Sequence, residues 1–293
     1  MPLAAIILLT IKISIVVTVL GLGLSATAHQ ATSLFRDPPR LFWSLVAMML
    51  IMPLFTILVA RTFDLDLPVK IALVTLSVSP VPPIWPKRSI QSGGTEEYTI
   101  GLLVATAVLS IGIIPIAIEI VQGIFAVPLS VSPLAVAKLA LATVLAPLFV
   151  GIGIRRLWPR GAERAARPVL TTGFVVLVSS ALPLVFKDWS AMTSLVGNGT
   201  LLTMIAFVIV GLTAGHLLGG PTQQDRSVLA LASATRHPGI ALAIATANFP
   251  NEKLVPAAIL LYMLVTAIAV TPYLTWSKRQ SQRARHKPIM ALR

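Results

Sequence analysis

Ser233-Ala234-Thr235-Arg236-His237-Pro238-Gly239 interrupts a run, 227–249, that is otherwise apolar. An arginine at mid-membrane depth costs about 3 kcal/mol on insertion scales. The proline behind it lacks a backbone donor and clashes with the preceding turn. The run therefore does not behave as a smooth lipid-facing helix. It has a counterpart earlier in the chain, Ser79-Pro80-Val81-Pro82-Pro83-Ile84-Trp85-Pro86, where four prolines fall within 80–86. Irregular backbone at membrane depth is tolerated only where it is buried in protein or lines a wet cavity. One proline alone reads as a kink between packed helices. Four together, matched by a charged break in the other half of the chain, read as two broken helices crossing at a binding site.

The surrounding composition fixes the solvent. The chain has 293 residues, 56% hydrophobic and 11% charged, with mean hydropathy +0.89. A soluble domain carries about 25% charged residues. This excludes a soluble globular enzyme, a disordered chain and a disulfide-stapled module, and leaves an all-α integral membrane protein with many spans. Nine stretches of spanning length follow: Leu3–Ala28, Leu41–Ala60, Val69–Pro86, Tyr98–Ala126, Pro133–Ile154, Pro168–Phe186, Leu195–Leu218, Ser227–Phe249 and Leu254–Trp276. They lack the ten-residue alternation of barrel strands. Ala26-Thr27-Ala28 resembles a signal cleavage site, but no cation precedes the first run and the run is too long for a signal core, so it reads as a retained helix.

Net charge is +13. No stripe of cations interleaved with aromatics accompanies it, so nucleic acid is not an expected partner. Sixteen of the 23 Lys and Arg residues fall in 29–40, 87–97, 155–167, 219–226 and 277–293, and five in the alternate loops. The bias places the N-terminus outside and the C-terminus in the cytoplasm of a plasma (bacterial inner) membrane. The basic tail, 278–293, suits anionic membrane lipids. Zero cysteines exclude disulfides, thiolate metal sites and cysteine nucleophiles. No phosphate loop, His-Glu-x-x-His pair or Ser/His/Asp group is present, so no catalytic set, metal site or cofactor is expected and the chain reads as a non-enzyme.

The positions of the breaks divide the chain. Residues 1–126 form a first repeat of four helices with its crossover near 79–86. Residues 127–277 form a second repeat of five with its crossover near 233–239. The third and eighth helices then run in opposite directions, as inverted repeats require.

The chain resembles the bile acid:sodium symporter family over most of its length. Gly21-Leu22-Gly23-Leu24-Ser25, Arg36 with Pro39-Arg40, and Met52-Pro53-Leu54 look like that family's early helices. Ser79-Pro80-Val81-Pro82-Pro83 stands where the family has a Pro-Gly-Gly crossover. Ala234-Thr235-Arg236-His237-Pro238-Gly239-Ile240-Ala241-Leu242-Ala243, ending at Asn248-Phe249, looks like its second crossover and is the most specific signal. The resemblance implies panel and core domains and alternating-access movement of an organic anion. Nine helices match members that lack the first helix of the ten-helix plan. The departures are as informative. The family's sodium site uses a Glu seven residues and a Gln three residues before the crossover glycine. Counting back from Gly239 gives Ala232 and Arg236. A hard cation needs several oxygens, preferably a carboxylate, and these positions supply neither.

The expected function is secondary active transport of an organic anion, with sodium coupling weakened or replaced by Arg236. The alternative is a non-transporting sensor or scaffold of the same fold. The expected substrate-binding residues are Ser79, Pro80, Pro82, Pro83, Thr235, Arg236, His237, Pro238 and Gly239. Arg236 stays protonated, which leaves it three roles: a tethered cation in place of sodium, a bidentate anion clamp, or a staple for backbone carbonyls freed by the breaks. Sodium and the proton are the candidate coupling ions. His237 is the candidate proton carrier or a polar bridge between helices. Lys87 and Arg88 line the site or anchor the inner face. Asn198-Gly199-Thr200 matches a glycosylation sequon by chance, inside a span.

Overall fold

The computed structural model describes residues 3–125 and 129–290. The boundary expected between the repeats, at 126–127, lies outside the described residues, as do Arg293 and the side chains of Arg283, Arg285 and Lys287 in the basic tail.

Among the described residues the chain is helical throughout, with no strand. The helices that position the site are α1 (Leu3–Ser25), α2 (Ala28–Arg36), α3 (Pro38–Thr62), α4 (Leu67–Val78), α5 (Trp85–Gln91), α6 (Glu96–Phe125), α7 (Pro133–Leu157), α8 (Pro159–Lys187), α9 (Thr200–Leu218), α10 (Gln223–Ala234), α11 (Pro238–Asn248) and α12 (Val255–Gln282). Among the described residues seven helical stretches are long and apolar enough to cross a membrane. They are α3, α6, α7, α8, α9, α10 with α11, and α12. The bent pair Leu9–Ser25 and Ala28–Arg36, turned by 108°, makes eight. The remaining run expected to span is split into α4 and α5, and α4, with 12 residues, is too short to cross alone.

Helix ends follow local chemistry. α2 starts at Thr27, whose side chain accepts from the Gln30 amide while the Gln30 side chain accepts from the Thr27 amide, a capping box. Asp37 caps α3 and Thr222 caps α10 in the same sense. Glu96 and Glu97 occupy the first turn of α6, where the helix dipole favours negative charge. Two expected loops are helical. Residues 28–36 form α2, and α8 begins at Pro159, nine residues before the expected Pro168, so Arg160, Arg164 and Arg167 ride on a helix. Asn198 lies in a turn ahead of α9, with φ 42°, and not inside a span.

Tight packing is set by glycines. α1 packs on α7 and α8. A Cβ at Gly23 would stand 2.3 Å from the Leu148 carbonyl, and one at Gly21 would stand 2.6 Å from the Leu170 amide. Across α9 and α10, a Cβ at Gly211 would meet the Ser233 carbonyl at 2.7 Å and one at Gly215 the Leu229 carbonyl at 2.4 Å. Gly211-Leu212-Thr213-Ala214-Gly215 is thus a small-xxx-small face that draws α9 onto the backbone just before the second break. In lipid such close backbone approach replaces the hydrophobic drive that soluble helices use.

Candidate functional site

The two breaks meet. Val78 ends α4, and the chain runs extended through Ser79 (φ −76°, ψ 146°) to Trp85, which opens α5. Ala234 ends α10, and Thr235 and His237 are extended before Pro238 opens α11. The amide of His237 donates to the carbonyl of Pro80 at 2.9 Å, so one backbone hydrogen bond ties break to break. The prolines explain why the breaks stay open. Pro80, Pro82 and Pro83 have no donor with which to rebuild a helix, and Pro86 and Pro238 sit in the first turns of α5 and α11, where a missing donor costs nothing.

Arg236 is 2% exposed. Its Nη1 donates to the Ser79 carbonyl at 3.1 Å and its Nη2 to the Met48 carbonyl at 2.8 Å. Ser79 is freed by the first break. Met48 is freed differently. It lies in a π-helical turn, Val46–Ile51, inside α3. A π turn pairs residue i with i+5, and for Met48 that residue is Pro53, which has no N–H. The guanidinium therefore completes two orphaned carbonyls of the first half of the chain from the second break. Tyr262 on α12 supports the same turn, its hydroxyl donating to the Ala234 carbonyl at 2.8 Å.

His237, 3% exposed, caps α11: its Nδ1 accepts from the Ile240 amide at 3.3 Å. That contact assigns the proton of a neutral ring to Nε2. The hydroxyl of Ser79 donates to Thr75 and that of Thr235 to Leu231, each closing on the preceding turn. Gly239 sits under the His237 ring, where a Cβ would come within 3.2 Å of Cε1. Ser79 and Pro80 are therefore brought against Arg236 and His237 at one crossing, with Thr235, Pro238 and Gly239 beside the latter in the chain, while Pro82 and Pro83 lie farther along the first break. Lys87 points elsewhere, its ammonium 4.1 Å from the ring centroid of Phe174 on α8. Among the described residues no side-chain hydrogen bond or ion pair joins Arg88 to the crossing.

Two neighbouring features escaped the sequence. Asp225, buried at the start of α10, accepts from Arg40 Nη2 at 3.2 Å and from the Thr95 hydroxyl at 2.8 Å, joining the α3 and α6 ends to the second half of the chain. Arg40 also stacks over Tyr98, whose hydroxyl shares a hydrogen bond with Ser44. On the other flank of the crossing, Val78, Ile114, Ile118, Val136, Ile240 and Ile244 form a dry cluster that brings α7 against α4, α6 and α11. Next to it lies an apolar cavity of about 130 Å³ lined by Leu67, Lys70 and Val74 of α4, Val121 of α6, and Ile244 and Asn248 of α11.

The family profile described as Sodium Bile acid symporter family matches residues 12–192. A Bacillus subtilis (strain 168) protein described as "Uncharacterized sodium-dependent transporter YocS" is 25% identical over 267 residues, covering 85% of this chain and 77% of the relative. The second crossover, 233–239, lies beyond the stretch that the family profile matches.

Proposed function

This chain belongs to the sodium bile acid symporter family, and we propose that within it the protein is a secondary transporter of an organic anion in which Arg236 replaces the coupling sodium. Membership makes it an integral membrane protein of a transporter family. The finer reading is ours. It has nine spans, of which the third and eighth are broken, and two inverted repeats, 1–126 and 127–277. The panel is α1, α7 and α8, which pack on one another, and the core is the remainder. The N-terminus is outside a bacterial inner membrane and the tail is in the cytoplasm.

One observation carries the coupling proposal: the Arg236 guanidinium donates to two main-chain carbonyls at the crossing, as a bound cation would be held. A cation tethered to the chain cannot leave during a transport cycle, so no ion gradient is drawn upon through it. The two Nη atoms are already engaged with backbone oxygens, which favours the tethered-cation role over the anion clamp. His237 acts as a cap and a polar bridge, because protonating Nδ1 would set an N–H against the Ile240 amide.

The test is solute uptake by the purified protein in liposomes, with external sodium replaced by choline. Uptake of an organic anion is expected to persist at a similar rate. A steep sodium requirement refutes the replacement, and an absence of flux for any organic anion favours a sensor or scaffold instead.

A further inference from the structure

The basic end of the last helix is seated on the near ends of both broken spans. The helix Thr271–Met290 extends α12. Ser277, fully buried, donates its hydroxyl to the Ser92 carbonyl at 3.2 Å. One turn on, Ser281 is 6% exposed, and a Cβ at Gly93 would stand 2.3 Å from its Oγ. Gly93 has φ 95°, a conformation that glycine adopts freely. Ser92 and Gly93 begin the turn that follows α5. The same turn lies against α10, where a Cβ at Gly94 would meet Val228 Cγ2 at 2.7 Å. Residues 271–290 pack on α10 as well. α5 and α10 are the halves of the two broken spans on the tail's side of the crossing. One serine-lined face therefore closes on both.

Away from the serines the stretch is cationic. Residues 271–293 hold six Lys or Arg and no Asp or Glu. Lys278 and Arg279 are exposed, and among the described residues no ion pair engages either. Headgroup depth is marked just before them. Trp276, 41% exposed, has its ring centroid 5.5 Å from those of Tyr273 and of His216 at the end of α9. Amphipathic rings concentrate at the membrane–water interface, so the cations begin within a turn of it. Cations there attract anionic headgroups. We propose that 276–282 is a clasp set by lipid charge: anionic phospholipid headgroups hold Lys278 and Arg279, and that hold keeps Ser277 and Ser281 seated on the turn after α5 and against α10. This goes beyond the transport reading. It rests on α12 being a span and needs neither the solute nor the coupling ion.

The chain has no cysteine, so Ser281→Cys, which exchanges an oxygen for a sulfur, reports the seat directly. The full chain is placed in nanodiscs, which leave both faces open, made of phosphatidylcholine alone or with added phosphatidylglycerol. An uncharged maleimide is the label, and Leu157→Cys, 88% exposed, is the control. Relative to that control, Ser281→Cys is expected to label about tenfold more slowly with phosphatidylglycerol than without it. High salt and the pair Lys278→Gln with Arg279→Gln are each expected to remove most of the difference. Gly93→Val in the Ser281→Cys chain drives a side chain into the seat and is expected to give fast labelling in both lipids. Equal relative rates in the two lipids overturn the lipid clasp. Slowing by soluble polyglutamate in neutral nanodiscs, with no response to phosphatidylglycerol, assigns the cations to an acidic protein and overturns it too. Slow labelling that survives Gly93→Val overturns the seat. None of these readings uses solute uptake, so failure here leaves the transport reading standing.

Discussion

The amide of His237 donates to the carbonyl of Pro80, 2.9 Å across the point where the two broken helices meet. Each partner is the residue that its own segment could not pair. Pro80 lies one residue past the end of the extended cap of α4, and His237 precedes the proline that opens α11. The bond is the only one of its kind between the breaks among the described residues, and the Arg236 contacts flank it.

Arg236→Gln removes charge and both long donors. Two hydrogen bonds from a charged group are worth together about 3 kcal/mol or more, and the carbonyls of Ser79 and Met48 are left buried. The variant is expected to melt well below the wild type in detergent. Arg236→Lys, which reaches as a point charge and lacks the planar fork, is expected to recover only part of the loss.

Pro82→Ala together with Pro83→Ala restores two backbone donors to the first break. The segment 79–84 is expected to gain helix and the crossing to lose its open backbone. Transport is expected to fall steeply while expression and melting hold. Undiminished uptake in this double variant would falsify the claim that the open break is needed.

Gly215→Val drives a side chain into the Leu229 carbonyl and the Ala230 backbone, atoms that cannot turn aside. The expected cost is about 3 kcal/mol or more, seen as loss of a monodisperse peak or a large drop in melting temperature. Gly112→Ala and Gly123→Ala, where nothing lies within 4 Å, are the controls and should be nearly silent.

Asp225→Ala strips Arg40 and Thr95 of a shared acceptor. The Asp225 side chain is 6% exposed and that of Arg40 is 35% exposed, so solvent screening at Arg40 brings the expected loss to about 2–3 kcal/mol, below the roughly 3–5 kcal/mol of a fully buried pair. Asp225→Asn keeps one acceptor and should lose less. Thermal unfolding of the two variants side by side decides it.

The sequence contains no cysteine, so single-cysteine labelling needs no background removal. Val74→Cys in the cavity wall is expected to react with a membrane-impermeant thiol reagent. Ile240→Cys, inside the dry cluster and 2% exposed, is expected to react on the order of tenfold more slowly. Equal rates would mean that the cluster does not close the crossing on that side.

Much of this was legible in advance, because proline and charge are loud signals in an apolar chain. The breaks near 79–86 and 233–239 are where the helices part, and the first break ends at Trp85 only because a proline tolerates the first turn of α5. The helix ends were less legible. Thr27 and Gln30 carry the capping box that starts α2, a four-residue pattern hidden beside a longer apolar run. The helical start of α8 was masked by its arginines, which look like a loop when only hydropathy is read. The partners of the site were not legible at all. Met48 meets Arg236 across 188 residues through a carbonyl, and a carbonyl is present at every position. Only Pro53, five residues on, hints that this one is free. Asp225 carries no signal of its own in the polar stretch 219–226, because its role depends on Arg40 and Thr95 arriving from the other half of the chain.

The Arg236 contacts also change how the molecule answers to its surroundings. A freely exchanging ion stabilises a fold by mass action, so its contribution rises and falls with the concentration outside. A guanidinium carried on the main chain is present at one per site in any medium, from dilute buffer to brine. The joint between the two halves is therefore expected to hold its strength where sodium is scarce, and to offer no reading of how much sodium there is.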